Sequence, residues 1–273
     1  MAKKKSTTMI DWKKEMEREA EIAASMEAAA GGAQSFSLKG GILSFSDAPL
    51  PGNEMAVIVL DTVMLNLFYA GDFDADNIVP PACYAFGRSE AEMKPHANCV
   101  EAGTNVSDKC AGCPKNEWGS ANKGRGKACA NTRRLGLLPA GSFDKSGRYV
   151  SITEAKHFKT ANVGYLKLPV TSVKAYAGFV KQVATMMKRP PHGIVTRVTV
   201  VPDPKTQHRV EVEPVEPLSD KLLDLVMPRV KEVREAITFP YQALNEDDAP
   251  KSKRGAKKKA GKPAKRSARK GKY

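Results

Sequence analysis

Residues Met55–Ala70 read MAVIVLDTVMLNLFYA, the longest apolar stretch in this 273-residue chain. A membrane span needs roughly 20 apolar residues, and this run has 16 with Asp61 inside it, so it reads as strands of a soluble core. Its Val, Ile, Leu and aromatic content favours extended backbone. Upstream, Ser35–Phe45 alternates weakly between apolar and polar residues. Downstream, Ala82–Phe86 reads as a short strand leading into a cysteine-rich loop. Arg134–Leu138, Tyr149–Glu154 and Val163–Val170 are further strand candidates.

A helix follows, with Val173, Tyr176, Ala177, Val180, Val183, Ala184 and Met187 on one face and Pro190-Pro191 as its stop. Ile194–Val201 and His208–Val215 alternate around Asp203-Pro204-Lys205-Thr206, a hairpin turn. Ser219–Ile237 reads as a helix capped by Ser219 and kinked at Pro228. At the other end, residues 7–30 read as a helix with Met9, Trp12, Met16, Ala20 and Ala23 at helical spacing, closed by Gly31-Gly32. Short strands, a long insertion and one well-formed helix predict a β-rich α+β fold: an OB-fold-like, partly open β-barrel with an inserted zinc-binding loop and flanking helices. The expected organisation is an N-terminal helix and linker over 1–34, a core over 35–245 with the insertion at 83–134, and a disordered basic tail over 246–273.

The net charge of +14 is concentrated. Residues 251–273 hold 12 Lys/Arg and no acid, and Lys109–Arg134 holds seven Lys/Arg against one Glu, leaving the rest of the chain acidic. Focused positive charge of this kind suits a phosphate-binding partner, because neutralised phosphates release counterions. The basic start is not followed by an uninterrupted apolar segment, so no secretory signal is read and the cytoplasm is the expected compartment.

Cys83, Cys99, Cys110, Cys113 and Cys129 lie within 47 consecutive residues. An odd number of thiols in a reducing compartment points to metal ligands rather than disulfides. Cys110-Ala-Gly-Cys113-Pro places two thiolates on one side of a tight knuckle, a bite suited to tetrahedral Zn²⁺ with Zn–S near ~2.3 Å. Cys129 supplies a third ligand from a second arm. For the fourth, spacing ranks Cys83 and Cys99 equally, with His96 behind them. Four protein ligands close the coordination sphere, so the metal is expected to be structural and to fold a loop that has few apolar residues of its own.

That loop presents Lys115, Trp118, Lys123, Arg125, Lys127, Arg133 and Arg134. Cations that track a backbone beside an aromatic able to stack on a base make a single-strand binding surface. Tyr84 and Phe86 on the adjoining strand extend it, with Phe68, Tyr69 and Tyr165 as further candidates. Catalytic patterns are missing from the sequence. Gly119–Ala128 has six residues between its outer glycines where a phosphate loop has four, and Ala128 stands where Ser or Thr would hold Mg²⁺. The histidines lack metalloprotease spacing, and the H-x-E pattern of zinc deaminases does not occur. No enzymatic role is expected.

The run from Pro81 to Leu135, with P-x-C-Y at its start, C-x2-C-P-x-N-x-W-G-S at its centre and G-x-G-K-x-C-x3-R-R-L at its end, resembles a group of bacteriophage and prophage zinc-containing single-stranded DNA-binding proteins. Ile194–Glu213 also fits the pattern. The resemblance implies a role in phage DNA replication or recombination, with single-stranded DNA and replication or recombination proteins as partners. It also favours Cys83 over Cys99 as the fourth ligand. The chain departs from that group in its tail: a brief acidic Glu246-Asp247-Asp248 precedes a basic end, where phage single-strand binders commonly end acidic. Two other functions fit the sequence: a duplex-DNA-associated regulator or packaging protein bound through loop and tail, and a zinc module that contacts replication proteins.

Overall fold

The computed structural model describes residues 35–241, apart from 47, 72–78, 123 and 205, together with Trp12, Glu15, Met16, Arg18, Glu19 and Ile22. Those six residues are all helical and exposed, in line with the helix read over 7–30; the rest of that segment and the basic tail lie outside the described residues. No described helix is long and apolar enough to cross a membrane.

Ten strands form one sheet: β1 (Ser35–Ser37), β2 (Ser44–Phe45), β3 (Ala48–Pro49), β4 (Glu54–Phe68), β5 (Cys83–Gly87), β6 (Cys129–Phe143), β7 (Tyr149–Ser151), β8 (Gly164–Lys167), β9 (Ile194–Asp203) and β10 (Gln207–Pro217). Their order is β10-β9-β4-β6-β8-β1-β2-β3, with β5 added beside β4 and β7 beside β6. Among the described residues, only β1 and β8 pair in parallel. Among the residues described from Ser35 onward, the helices are α1 (Ala97–Glu101), α2 (Ala155–Thr160), α3 (Val173–Gln182, continued by a π turn over Val183–Met187) and α4 (Asp220–Ala236). The chain is thus a strand-rich α+β protein with few helices.

The decisive run forms most of a single 15-residue strand, β4. Strands buried on both faces read as continuous apolar runs rather than alternating ones, and β4 is such a strand. Met55, Val57 and Val59 face a core that includes Phe36, Leu135, Leu137, Val198 and, from α3, Tyr176 and Phe179. Ala56, Ile58 and Leu60 face the opposite core, closed by Phe158 of α2 and by Val226, Val230 and Val233 of α4. Close packing under α4 explains Gly136: a Cβ there would collide with a methyl of Val233.

One edge of β4 is lined by β6 along nearly its whole length. The other edge is shared, with β9 pairing to Glu54–Ile58 and β5 to Met64–Phe68. The β4–β6 register shifts between Val59 and Asp61, so the only acid of the run sits at a bulge, where strands bend and re-aim side chains. The Asp61 carboxylate is paired there with the Arg88 guanidinium through both oxygens.

The two ends of the sheet curl toward each other over the α3-covered core. The Asn53 amide donates to the Gly41 carbonyl (2.7 Å) beside β2 and to the Val200 carbonyl (3.3 Å) in β9, while its oxygen accepts from the Leu43 amide (2.7 Å). Gly41 also lies against His208 of β10. The strand candidate Arg134–Leu138 is the middle of a longer strand: β6 begins five residues earlier at Cys129, so the inserted loop proper runs from 88 to 128. Its first residues are held by pairing Cys129 with Phe68 and Ala130 with Leu67.

Candidate nucleic-acid interface and thiol cluster

The insert leaves β5 on one side of β4 and returns as β6 on the other. Cys83 therefore starts β5, Cys129 starts β6, and both pair with the same residue, Phe68. The knuckle lies over them. Gly112 takes φ +74°, a left-handed conformation that side chains resist, so the turn between Cys110 and Cys113 needs glycine at that point. Cys83, Cys110, Cys113 and Cys129 all line one small cavity of about 20 Å³.

The electrostatics of the thiols follow from that convergence. Burial, reinforced by Cys110, Cys113 and Cys83, pushes the Cys129 thiol up to about 12. Burial also raises Cys83 and Cys110. A backbone hydrogen bond to Val106 pulls the other way at Cys83, and the Asn66 side chain does so at Cys110. Among the described residues, no group of three or more His, Cys, Asp or Glu side chains closes into a ready metal cage. In donor chemistry the four thiols fit a soft-tolerant divalent ion such as Zn²⁺, whose charge would offset the mutual repulsion of crowded thiolates.

Cys99 and His96 lie outside the four-thiol cavity, although Cys99 is near enough to add to the upward shift of Cys83. Cys99 is buried with Leu65, Leu67 and Tyr84, and its sulfur accepts the Tyr84 amide (3.4 Å). The His96 ring stacks on Tyr84, accepts from the Asn98 amide at the start of α1 (3.2 Å), and hydrogen-bonds the Tyr84 hydroxyl (3.1 Å). Neither lines the four-thiol cavity.

The loop is fastened to the sheet by three asparagines. Asn131 of β6 donates to Asn66 of β4 (2.7 Å) and to Asn116 of the loop (2.9 Å), and Asn116 donates to the Cys110 carbonyl (3.0 Å). Farther out, the Ser120 hydroxyl bonds the Glu117 and Lys115 carbonyls and accepts the Ala128 amide, while Gly119 and Ala121 donate to Gly126. This closed turn displays Trp118 with 81% of its surface exposed. Lys127 Nζ lies 5.9 Å from the Trp118 ring centre and Lys115 Nζ lies 5.5 Å from that of Phe68. Arg125 is exposed on the same turn, and Lys123 lies outside the described residues.

The two neighbouring arginines of β6 part company. Arg133 pairs with Met64, Asn131 with Asn66 and Cys129 with Phe68, so these side chains share the loop-covered face. Arg134 points to the opposite face and is only 5% exposed. Its guanidinium donates to the carbonyls of Ile237 (3.0 Å) and Phe239 (2.7 Å) just beyond α4, and it is sandwiched by Phe86, Phe239 and Tyr241. Burial lowers its pKa. Arg134 is therefore a packing and helix-end residue, unable to meet a phosphate. Tyr84 is likewise buried, and Phe86 is enclosed against Arg134 and His96.

The sequence pattern did not single out Asn66, Asn116 or Asn131. The available signal was Asn66, a polar residue inside an otherwise apolar strand, which is 7% exposed. No family model, curated protein or solved structure matches the chain.

Proposed function

We propose that this chain is a non-catalytic single-stranded DNA-binding protein of the phage replication or recombination type. In this reading the curled sheet serves as an OB-like, partly open barrel, and a structural Zn²⁺ held by Cys83, Cys110, Cys113 and Cys129 organises the inserted loop. The observation that carries the reading is the pairing of a four-thiol cavity with a rigidly hydrogen-bonded turn that presents Trp118 to solvent beside Lys127. A bare indole costs apolar exposure unless something covers it. A nucleobase stacked on an aromatic contributes about 1–3 kcal/mol and is tolerant of sequence.

The binding surface comprises Trp118, Lys115, Arg125 and Lys127 on the turn, with Phe68 below Lys115 and Arg133 farther along the same sheet face. Arg134, Tyr84 and Phe86 support it from within. The metal, when bound, supplies folding energy and thiolate neutralisation; the chain's own residues bind the strand.

Fluorescence anisotropy of labelled single- and double-stranded oligonucleotides at two salt concentrations, with native chain and Trp118→Ala, tests this. Metal analysis of the purified protein accompanies it. Tight, salt-sensitive single-strand binding that weakens in Trp118→Ala, with one zinc per chain, is the expected result. Duplex affinity equal to single-strand affinity, unchanged by Trp118→Ala, would overturn it in favour of duplex binding through the basic tail.

A further inference from the structure

Beside the bulge in β4 lies a cleft of about 410 Å³ between the sheet and α3. It lies on the same sheet face as the loop, because Thr62 pairs with Leu135 and Met64 with Arg133 in unbroken register with Asn66–Asn131 and Phe68–Cys129. Val180 and the exposed Ala177 of α3 form an apolar wall. Tyr176, hydrogen-bonded to Thr62, forms the floor. Arg133 and Lys181 stand at the lining with His192.

The charge balance of this cleft is cationic. Asp61 is its one acid, and its carboxylate is engaged by Arg88. Burial first, and then Arg234, hold the His192 imidazole below its usual pKa, so at neutral pH the ring is an uncharged hydrogen-bonding group. An apolar wall with a few convergent polar groups and a volume of several hundred Å³ is the form of a small-molecule subsite. A planar heterocycle attached to a phosphate matches both halves, with its ring against the Val180–Ala177 wall and its phosphate toward Arg133 and Lys181.

We propose that this cleft takes one nucleotide of a bound single strand, anchoring it about 13 Å along the sheet from the thiol cluster. That spacing follows from four strand residues between Cys129 and Arg133 at ~3.3 Å each. It corresponds to about four stacked nucleotides at ~3.4 Å apiece. The inference rests on the single-strand reading above and adds to it a second contact site, with a defined direction from the Trp118 turn toward α3.

Two measurements on the full chain test it. Oligonucleotides with 5-iodouracil at successive positions are photo-crosslinked and the attached peptides mapped. Affinities are measured for Ala177→Trp, which fills the cleft from an exposed helix position, and Lys181→Glu, which reverses its charge at another. Crosslinks to Tyr176 or His192 from positions several nucleotides away from those that reach Trp118, with single-strand affinity lowered about tenfold in both variants, are expected. Crosslinks confined to the loop, together with affinities within twofold of native, would overturn the cleft while leaving single-strand binding standing. A native chain that binds no single strand overturns both readings.

Discussion

Replacing Arg134 with alanine separates a structural arginine from a DNA-binding one. The side chain makes two charge-assisted hydrogen bonds to carbonyls beyond the end of α4 and is stacked between aromatic rings. Hydrogen bonds to charged groups contribute about 1.5–3 kcal/mol each, and desolvated cation–π contacts up to about 2 kcal/mol. Against these stands the desolvation of the buried guanidinium, the same effect that lowers its pKa. The net loss is expected to be about 3 kcal/mol, because alanine also leaves the Ile237 and Phe239 carbonyls without this donor. For a domain of this size that corresponds to roughly 6–12 °C in Tm. Urea denaturation followed by far-ultraviolet circular dichroism reads the stability, and anisotropy below the transition reads single-strand affinity. A variant as stable as native, or one that folds normally but loses tenfold in affinity, would refute the assignment of Arg134 to packing.

Four further outcomes are expected. Trp118→Ala should weaken single-strand binding by about 1–3 kcal/mol, or five- to more than a hundredfold, while Tm stays unchanged, since the indole is solvent-exposed. Cys129→Ser should abolish zinc retention by metal analysis, whereas Cys99→Ala should retain it and lose stability instead, because Cys99 packs in a core with Leu65 and Tyr84. Gly136→Ala should destabilise by about 1–3 kcal/mol through overpacking against Val233, seen as a lower urea midpoint. Tyr176, buried and hydrogen-bonded to Thr62, has its phenol pushed up to about 12 from the ordinary 10, mainly by burial. A raised acid favours the protonated folded form, so its contribution of about 3 kcal/mol is present below pH 10 and lost as pH rises toward 12. Tyr176→Phe should flatten the fall in stability across that window, and an identical alkaline profile in both proteins would count against it.

Much of the core was legible because its periodicities are strong. The β9–β10 hairpin and helix α3 fall where alternation and helical spacing put them, and the apolar run became β4. What periodicity did not reveal was that β4 is one strand covered on both faces, since continuous hydrophobicity is equally compatible with two shorter strands. The start of β6 was hidden because Cys-Ala-Asn-Thr has weak strand preference; its conformation is imposed by pairing with Leu67 and Phe68. Charge was the least reliable guide at single positions. Arg133 and Arg134 look alike in the sequence, yet strand alternation sends one toward a cleft and the other under α4. The cysteines show the reverse. Their spacing left Cys83 and Cys99 equal; the shared pairing with Phe68 brings Cys83 to the four-thiol cavity beside Cys129, while Cys99 packs with Leu65, Leu67 and Tyr84.

The placement of the insert has an engineering consequence. Its two ends are tied to the strands on either side of β4, leaving from Gly87 opposite Met64 and returning at Cys129 opposite Phe68, so two strand spacings and four residues of rise hold them about 16 Å apart whatever lies between them. Closing a longer loop between fixed ends adds only about 0.6 kcal/mol per doubling of length. The segment 88–128 is thus a socketed cassette: a different metal knuckle, a longer recognition turn or a reporter peptide can be seated there while β4 and its two neighbouring strands hold the frame.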